Sequence, residues 1–308
     1  MKKVEFIEKI NDIIELWNSE FKNYPLSERL ILEKLVNHKD TKELYAYVND
    51  NGEYMASIVL KKCLKGDVPT GYISFIHVNK KYRKQGLGTK MVEEALKFFE
   101  TLDVPAVWLG CDYGCLYSGL FIDNNEESHK FFLNRGFIFD HNTHNIILRH
   151  KIEIKKTLGE GFKYQFLNDD LREEFFDFVS NGFSRRWANE NLETDPNEIV
   201  LILKDNKIVA FARICLKDSK TLTNGINNYL KYENEGITLG ALGPLGVSRE
   251  LRKTGLGREI VLYGVDELFK RGAEQILVDW TSLVDFYKKV CFEEICDVYS
   301  QYRYDYNK

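Results

Sequence analysis

Read for the spacing of its apolar residues, the chain changes period many times, and it does so in the same order twice. In the first half, apolar positions three and four apart predict helices over Val4–Phe21 and Ser27–Val36. Alternation then takes over and predicts strands at Glu43–Val48 and Glu53–Lys61 around the turn signal NDNGE. A third apolar run, GYISFIHV, ends at Val78. The polar loop RKQGLG (Arg83–Gly88) leads from it into the helical stretch TKMVEEALKFFETL. A strand AVWLGC, a helix around Glu126–Asn134 and two short strands, FIFD and HNIILRH, close the half. The pattern restarts near Ile152. It gives a helix at Asp169–Val179, strands at Ile199–Lys204 and Lys207–Lys217 around DNK, and the run ITLGALGPLGV. A second loop, RKTGLG (Arg252–Gly257), then opens the helix REIVLYGVDELFKR. The strand QILVDW, the helix LVDFYKKV and a closing strand region follow.

Strands and helices mixed in this order imply an α/β (α+β) fold with a central mixed sheet. The repeat is far too long for a solenoid. Two tandem domains, 1–151 and 152–308, account for it, with the join in the polar stretch His150–Gly159. A length of 308 residues suits two domains.

Composition narrows the function classes. Apolar residues make up 44% and charged residues 29%, an ordinary soluble balance. The formal net charge of −4 offers no domain-wide basic surplus to neutralise phosphates, so no nucleic-acid partner is expected, a local basic patch aside. No run resembles a bilayer span. The N-terminal stretch MKKVEFIEKINDIIELW mixes acids into its apolar positions and reads as an amphipathic helix, not a signal peptide. Six cysteines, at positions 63, 111, 115, 215, 291 and 296, form no C-x-x-C pair and no His/Cys cluster with zinc-like spacing. Reduced thiols, a cytoplasmic location and no metal are the expectation.

Candidate chemistry begins at the two glycine loops. A strand that enters a helix through Arg-x-x-Gly-x-Gly leaves backbone N–H groups without intrahelical partners at the helix start. The helix dipole adds partial positive charge, and glycines let a ligand approach the backbone. Such a loop fits a pyrophosphate. The same two glycines could also do no more than shape a strand-to-helix corner.

The recurrence of the loop, with the segments around it, resembles the GCN5-related N-acetyltransferases (GNAT). Their acetyl-CoA signature is matched by VNKKYRKQGLGTKM, with Arg83, Gly86 and Gly88, and by VSRELRKTGLGREI, with Arg252, Gly255 and Gly257. Their later signature, a helix ending Tyr-x-x-x-Gly-Phe, is matched by FYKKVCF except that Cys291 replaces the glycine. It is matched by FFLNRGF except that Phe132 replaces the tyrosine. The resemblance covers nearly the whole chain and implies two tandem GNAT-fold domains, each a bent mixed β-sheet flanked by helices. It implies acetyl-CoA as cosubstrate. The residues it assigns to acetyl-CoA are Leu245, Val247, Arg252, Lys253, Thr254, Gly255, Leu256, Gly257 and Arg258 in the second half, and Val78, Arg83, Gly86 and Gly88 in the first. Leu245 and Val247 act through their backbone amides.

Acetyl transfer to an amine needs a polarised thioester, a neutral amine and a proton for the departing thiolate. The family supplies that proton from the signature tyrosine. The second half has Tyr287, which spacing alone would read as a buried helix aromatic; the first has Phe132, with no hydroxyl. Catalysis is therefore expected in the domain 152–308, and the domain 1–151 reads as a degenerate copy. The amine also needs a base, because an alkyl amine is mostly protonated at neutral pH. Asp279, at the carboxyl end of the strand before the catalytic helix, is the first candidate, although an acid there could instead cap that helix, as Thr281 or Ser282 could. Asp285 is the second candidate. Trp280 could stack on a substrate ring or pack in the core. GPLGV and VDWTSLVDFY further resemble bacterial glucosamine/glucosaminide N-acetyltransferases, which implies an amino-sugar acceptor. An aminoglycoside or polyamine acceptor, and a CoA-binding protein without turnover, are the alternatives. Oligomeric state is not encoded in any of these features.

Overall fold

The computed structural model describes residues 1–306 apart from Asn124 and Lys156. The chain divides into two compact units. One comprises Met1–Thr143 together with Val298–Lys308, and the other His144–Asp297.

The first unit begins with β1 (Lys2–Glu5), α1 (Ile10–Glu20) and α2 (Glu28–Ile31), followed by β2 (Thr41–Val48), β3 (Tyr54–Lys65) and β4 (Val68–Val78). Then come α3 (Leu87–Thr101), β5 (Ala106–Leu109), β6 (Leu120–Phe121), α4 (Glu126–Leu133) and the start of β7 (Ile138–Leu148). Strands β1 to β4 pair antiparallel in sequence order, and β4 pairs parallel with β5. The second unit takes the last five residues of β7, then β8 (Phe162–Phe166), α5 (Arg172–Gly182), α6 (Arg185–Glu190), β9 (Ile199–Lys204) and β10 (Lys207–Leu216). It continues with α7 (Tyr229–Asn234), β11 (Leu239–Val247), α8 (Leu256–Lys270), β12 (Gln275–Thr281), α9 (Val284–Val290) and the start of β13 (Glu294–Asp305). Strands β8 to β11 again pair antiparallel in order, and β11 pairs parallel with β12. The mixed sheet expected from the sequence is therefore present in both units.

Three local expectations change. The helical period drawn from Val4 to Phe21 begins too early: Val4 and Glu5 pair with Ala46 and Tyr45 of β2, and the α-helix starts at Ile10. Its apolar stripe, Ile10, Ile13 and Trp17, is the part that is buried. FIFD and HNIILRH are one continuous strand, β7. The strand β8, FKYQF, has no assignment in the sequence reading; it forms because β9 offers a partner along Val200–Lys204.

The last strand does not stay with the half that encodes it. Arg303–Asp305 of β13 pair with Ala106–Trp108 of β5, so this segment completes the first unit's sheet. His144–Leu148 of β7 pair with β12 in the second unit. A division by packing thus differs from one drawn by sequence order at 151/152.

One feature of both sheets positions the site. β4 and β5 pair only over Gly71–Ile73 and Val107–Leu109, yet β4 runs on to Val78. β11 and β12 pair only over Leu239–Ala241 and Gln275–Leu277, yet β11 runs on to Val247. A bulge marks each parting. Ser74 is extra in β4 between Ile73 and Phe75, and the stretch Gly243–Pro244 of β11 stands against Arg213 alone. A bulge bends its strand and increases local twist, which carries the strand away from its parallel neighbour. The edge exposed by the parting presents backbone groups that the ladder no longer uses.

Candidate active site

The strand that parts from its neighbour leads, in each unit, directly into the glycine loop. In the second unit β11 ends at Val247, and the loop turns through Lys253 at φ +66° and Gly255 at φ +97°. Gly255 is the residue preceding α8, and the left-handed backbone there is open to glycine without strain. Leu256 is buried and anchors the helix start, whereas Arg252, Lys253, Thr254, Gly255 and Arg258 are exposed. Arg252 Nε donates to Val247 O at 3.3 Å, which ties the loop back to the strand end. Thr254 Oγ1 donates to Leu251 O at 2.7 Å. Leu245 and Val247 lie on the part of β11 that has left β12 and pair with Ala212 and Ala210 on the other side.

A Cβ on Gly257 would lie 3.3 Å from the Phe286 ring, so α9 crosses close above the first turn of α8. The same turn carries Glu259, which is buried and satisfied: Thr157 N and Oγ1 donate to it at 2.9 Å each and Tyr164 Oη at 2.7 Å. Burial works against its charge, but these donors outweigh it and hold the carboxyl below its usual range. Three exposed cations, Arg252, Lys253 and Arg258, together with the open N-terminus of a 15-residue helix, form a donor set suited to a pyrophosphate.

The first unit repeats this geometry. Lys84 at φ +61° and Gly86 at φ +83° turn the loop into α3, and Arg83 Nε donates to Val78 O at 2.8 Å. A Cβ on Gly88 would lie 3.2 Å from the Phe131 ring. Phe131 and Phe132 thus stand to Gly88 as Phe286 and Tyr287 stand to Gly257. The differences lie in what surrounds the loop. Arg83 Nη1 and Nη2 donate to the two oxygens of Glu20 at 2.6 Å each. On α1, Trp17 packs against Phe75 at 5.1 Å and His77 at 5.7 Å between ring centroids. Phe75 and His77 belong to the part of β4 that has left β5, so aromatic side chains fill the flank of that strand.

Beyond the parting, β12 carries Asp279 and Trp280. Asp279 Oδ1 lies 3.1 Å from the position a Cβ on Gly225 would take and 3.9 Å from that on Gly243, so the carboxylate faces the bulged part of β11. The turn before α9 is closed by Thr281, whose Oγ1 accepts from Leu283 N at 2.9 Å, and no side chain caps α9. The capping role left open for Asp279 falls to this threonine. Tyr287 on α9 is 5% exposed and sits edge-on to Phe286 and Phe292. Burial pushes its hydroxyl well above the usual tyrosine range, and the negative charge of Asp279 adds to this. The two groups are therefore electrostatic neighbours, and the phenol stays protonated at neutral pH. Asp285 is exposed on the first turn of α9.

In the first unit the acid after β5 has another task. Asp112 and Lys61 are both 0% exposed and form an ion pair at 2.6 Å, with Lys61 Nζ also donating to Tyr113 O at 3.3 Å. An acid spent on a buried lysine offers nothing to a substrate amine. Phe132, 4% exposed, packs edge-on against Phe131 and Phe137.

Sequence reasoning missed three residues. Trp280 adopts φ +47°. Its backbone N–H is held by Asn145 Oδ1 at 3.1 Å. The Arg186 guanidinium lies over the Trp280 ring at 4.8 Å. Asn145 and Arg186 belong to no signature, and only strand pairing and loop packing bring them to Asp279. Among the described residues, no group of His, Cys, Asp and Glu could hold a metal ion, and no helix is long and apolar enough to cross a membrane.

Comparison with known proteins agrees with this geometry. None of the curated proteins matches the chain. Among solved structures, the glucosamine N-acetyltransferase region of a fungal multi-domain GH3 β-N-acetylglucosaminidase matches with a TM-score of 0.87 at 20% identity. That match covers 98% of this chain and 38% of the other, so the chain spans well under half of that protein. A tandem GNAT protein from the clavulanic acid biosynthesis pathway matches with a TM-score of 0.69 at 12% identity, covering 100% and 99% of the two chains. A GCN5-related N-acetyltransferase from Sphaerobacter thermophilus matches with a TM-score of 0.59 at 16% identity, covering 85% and 80%. At these identities the likeness is one of fold. The family profile goes further: that of the acetyltransferase (GNAT) family matches twice, over residues 10–137 and 164–291, and the chain belongs to that family as a tandem N-acetyltransferase.

Proposed function

We propose that the second unit transfers the acetyl group of acetyl-CoA to the amino group of glucosamine or a glucosaminide, and that the first unit is a catalytically degenerate copy. The observation that carries this reading is the asymmetry of the two centres. Tyr287, a buried and protonated phenol, neighbours Asp279 in the second unit. Phe132 and the Lys61-bound Asp112 occupy the corresponding region of the first.

Acetyl-CoA supplies an activated thioester. The α8 N-terminus with Arg252, Lys253, Thr254, Gly255, Leu256, Gly257 and Arg258 would hold its pyrophosphate. The backbone of Leu245 and Val247, on the free edge of β11, would bind the pantetheine arm and polarise the acetyl carbonyl. Asp279 attracts the ammonium form of the acceptor and takes one proton from it, directly or through one water. The freed amine then attacks the carbonyl, and Tyr287 donates its hydroxyl proton to the departing sulfur. In the first unit Val78, Gly86 and Gly88 remain in place for a second CoA, but Arg83 is engaged by Glu20.

The amino-sugar acceptor is supported by the name of the fungal neighbour and by the Trp280 ring beside Asp279, since sugar faces stack on aromatic rings. Six unpaired cysteines support a reducing, cytoplasmic setting. The test is to incubate the protein with acetyl-CoA and a panel of glucosamine, chitosan oligomers, aminoglycosides and polyamines while detecting free thiol. Preference for glucosamine or its oligomers is expected. Preference for an aminoglycoside or polyamine would replace the acceptor, and CoA binding without thiol release would remove the enzymatic reading.

A further inference from the structure

Two residues of β12 stand opposite one residue of β7. Val278 pairs with Ile146 and Thr281 with His144, which leaves Asn145 facing both Asp279 and Trp280. Such a bulge re-aims the side chains it contains and leaves a backbone group outside the ladder. Here the Trp280 N–H is taken by the side chain of the residue opposite, Asn145 Oδ1, at 3.1 Å. Trp280 stands at φ +47°, a region that bulky residues avoid. Such a conformation costs about 1–3 kcal/mol and persists only where its surroundings enforce it. Asn145 is itself fixed. Its Nδ2 donates to Asp297 Oδ2 at 3.3 Å, and the same oxygen accepts from Asn228 Nδ2 at 3.4 Å. Asn145, Asp297 and Asn228 are 5%, 5% and 4% exposed, so the whole amide–carboxylate cluster is dry.

We propose that Asn145 is a positioning residue for acetyl transfer: by accepting the Trp280 N–H it locks the left-handed bulge and so aims the Asp279 carboxylate at the acceptor amine. The inference rests on the base role proposed for Asp279. Side chains alternate along a strand, so a peptide that relaxes at Trp280 swings the neighbouring residue off its face. Asp279 now shares the Leu277 face, where both lie near Gly225. A misplacement of about 1 Å at a reacting group costs about 10²-fold in rate.

Asn145→Ala is therefore expected to lower kcat about 10²-fold, following that relation, with KM for acetyl-CoA unchanged, because the pyrophosphate loop is untouched. Hydrogen exchange should show the Trp280 amide losing its protection. The decisive comparison is the background Trp280→Gly. Glycine adopts positive φ without strain, so adding Asn145→Ala there should cost only a few-fold more. A merely structural asparagine would cost the same in both backgrounds, and that result would overturn the proposal. So would loss of Trp280 protection with kcat intact, or protection that survives Asn145→Ala. If Asn145→Ala does not fold, Asn145→Asp keeps the accepting oxygen; it should retain Trp280 protection and most of kcat, and loss of both overturns the clamp. A wild-type protein that acetylates no amine overturns the proposed function instead, and the exchange measurement distinguishes that failure from this one.

Discussion

Removing one oxygen atom separates the chemistry of Tyr287 from its packing. The ring is 5% exposed and edge-on to Phe286 at 5.1 Å and Phe292 at 5.5 Å, and Tyr287→Phe keeps all of this. Among the described residues the Tyr287 hydroxyl makes no hydrogen bond, so its removal strands no partner. Stability should change by less than about 1.5 kcal/mol, the usual limit for an isosteric core change. The barrier should change by more. A positioned general acid contributes about 10²–10⁴-fold, or about 3–5 kcal/mol at 1.36 kcal/mol per tenfold. The raised pKa has a definite sign here. Burial first, and the charge of Asp279 second, favour the neutral phenol, so the proton to be donated is present throughout the working pH range. Initial rates of thiol release against acetyl-CoA, with calorimetric binding and thermal unfolding on the same samples, give the three numbers needed. The expected pattern is a turnover number down by two orders of magnitude or more, with binding and stability nearly unchanged. A Tyr287→Phe variant that turns over within a few-fold of wild type would refute the general-acid assignment. It would also leave Phe132 and the first unit as capable of the chemistry as the second.

Other outcomes follow from the same geometry. Asp279→Asn should depress the rate most near and below neutral pH and recover partly at alkaline pH, where free amine is plentiful; a loss uniform across a pH–rate profile would mean that Asp279 orients and does not deprotonate. Gly257→Asp should raise KM for acetyl-CoA sharply by placing a carboxylate at the α8 N-terminus and pressing on Phe286, 3.3 Å from the new Cβ. Gly88→Asp, followed by calorimetric stoichiometry, reports whether the first loop binds CoA at all. Glu20 should make the first unit acid-labile. Burial raises its pKa, but His77 and Arg83 outweigh it and bring the carboxyl from 4.5 down to about 2. A depressed carboxylate stabilises fully above its unfolded pKa and loses that contribution as pH falls toward its folded one. About 3 kcal/mol, at 1.36 kcal/mol per unit, should thus disappear between roughly pH 5 and pH 2, and in Glu20→Gln that part of the acid-unfolding curve should flatten.

The sequence by itself determined what depends on neighbours along the chain. The mixed α/β order, its repetition and the two loops were legible because an αL glycine before a helix and an apolar stripe such as Ile10, Ile13 and Trp17 are local constraints. The difference between Tyr287 and Phe132 is likewise visible in two aligned signatures. Tertiary structure decided the rest, because strand pairing joins residues far apart in sequence. It gave Val298 onward to the first unit and His144–Leu148 to the second. It set identical loop arginines in different company: Arg83 is bound by Glu20, whereas Arg252 is exposed. It spent Asp112 on Lys61 inside the core. It also brought Asn145 to the one peptide of β12 that its ladder cannot satisfy, since a bulge, and the partner that fills it, exists only once two strands have found their register.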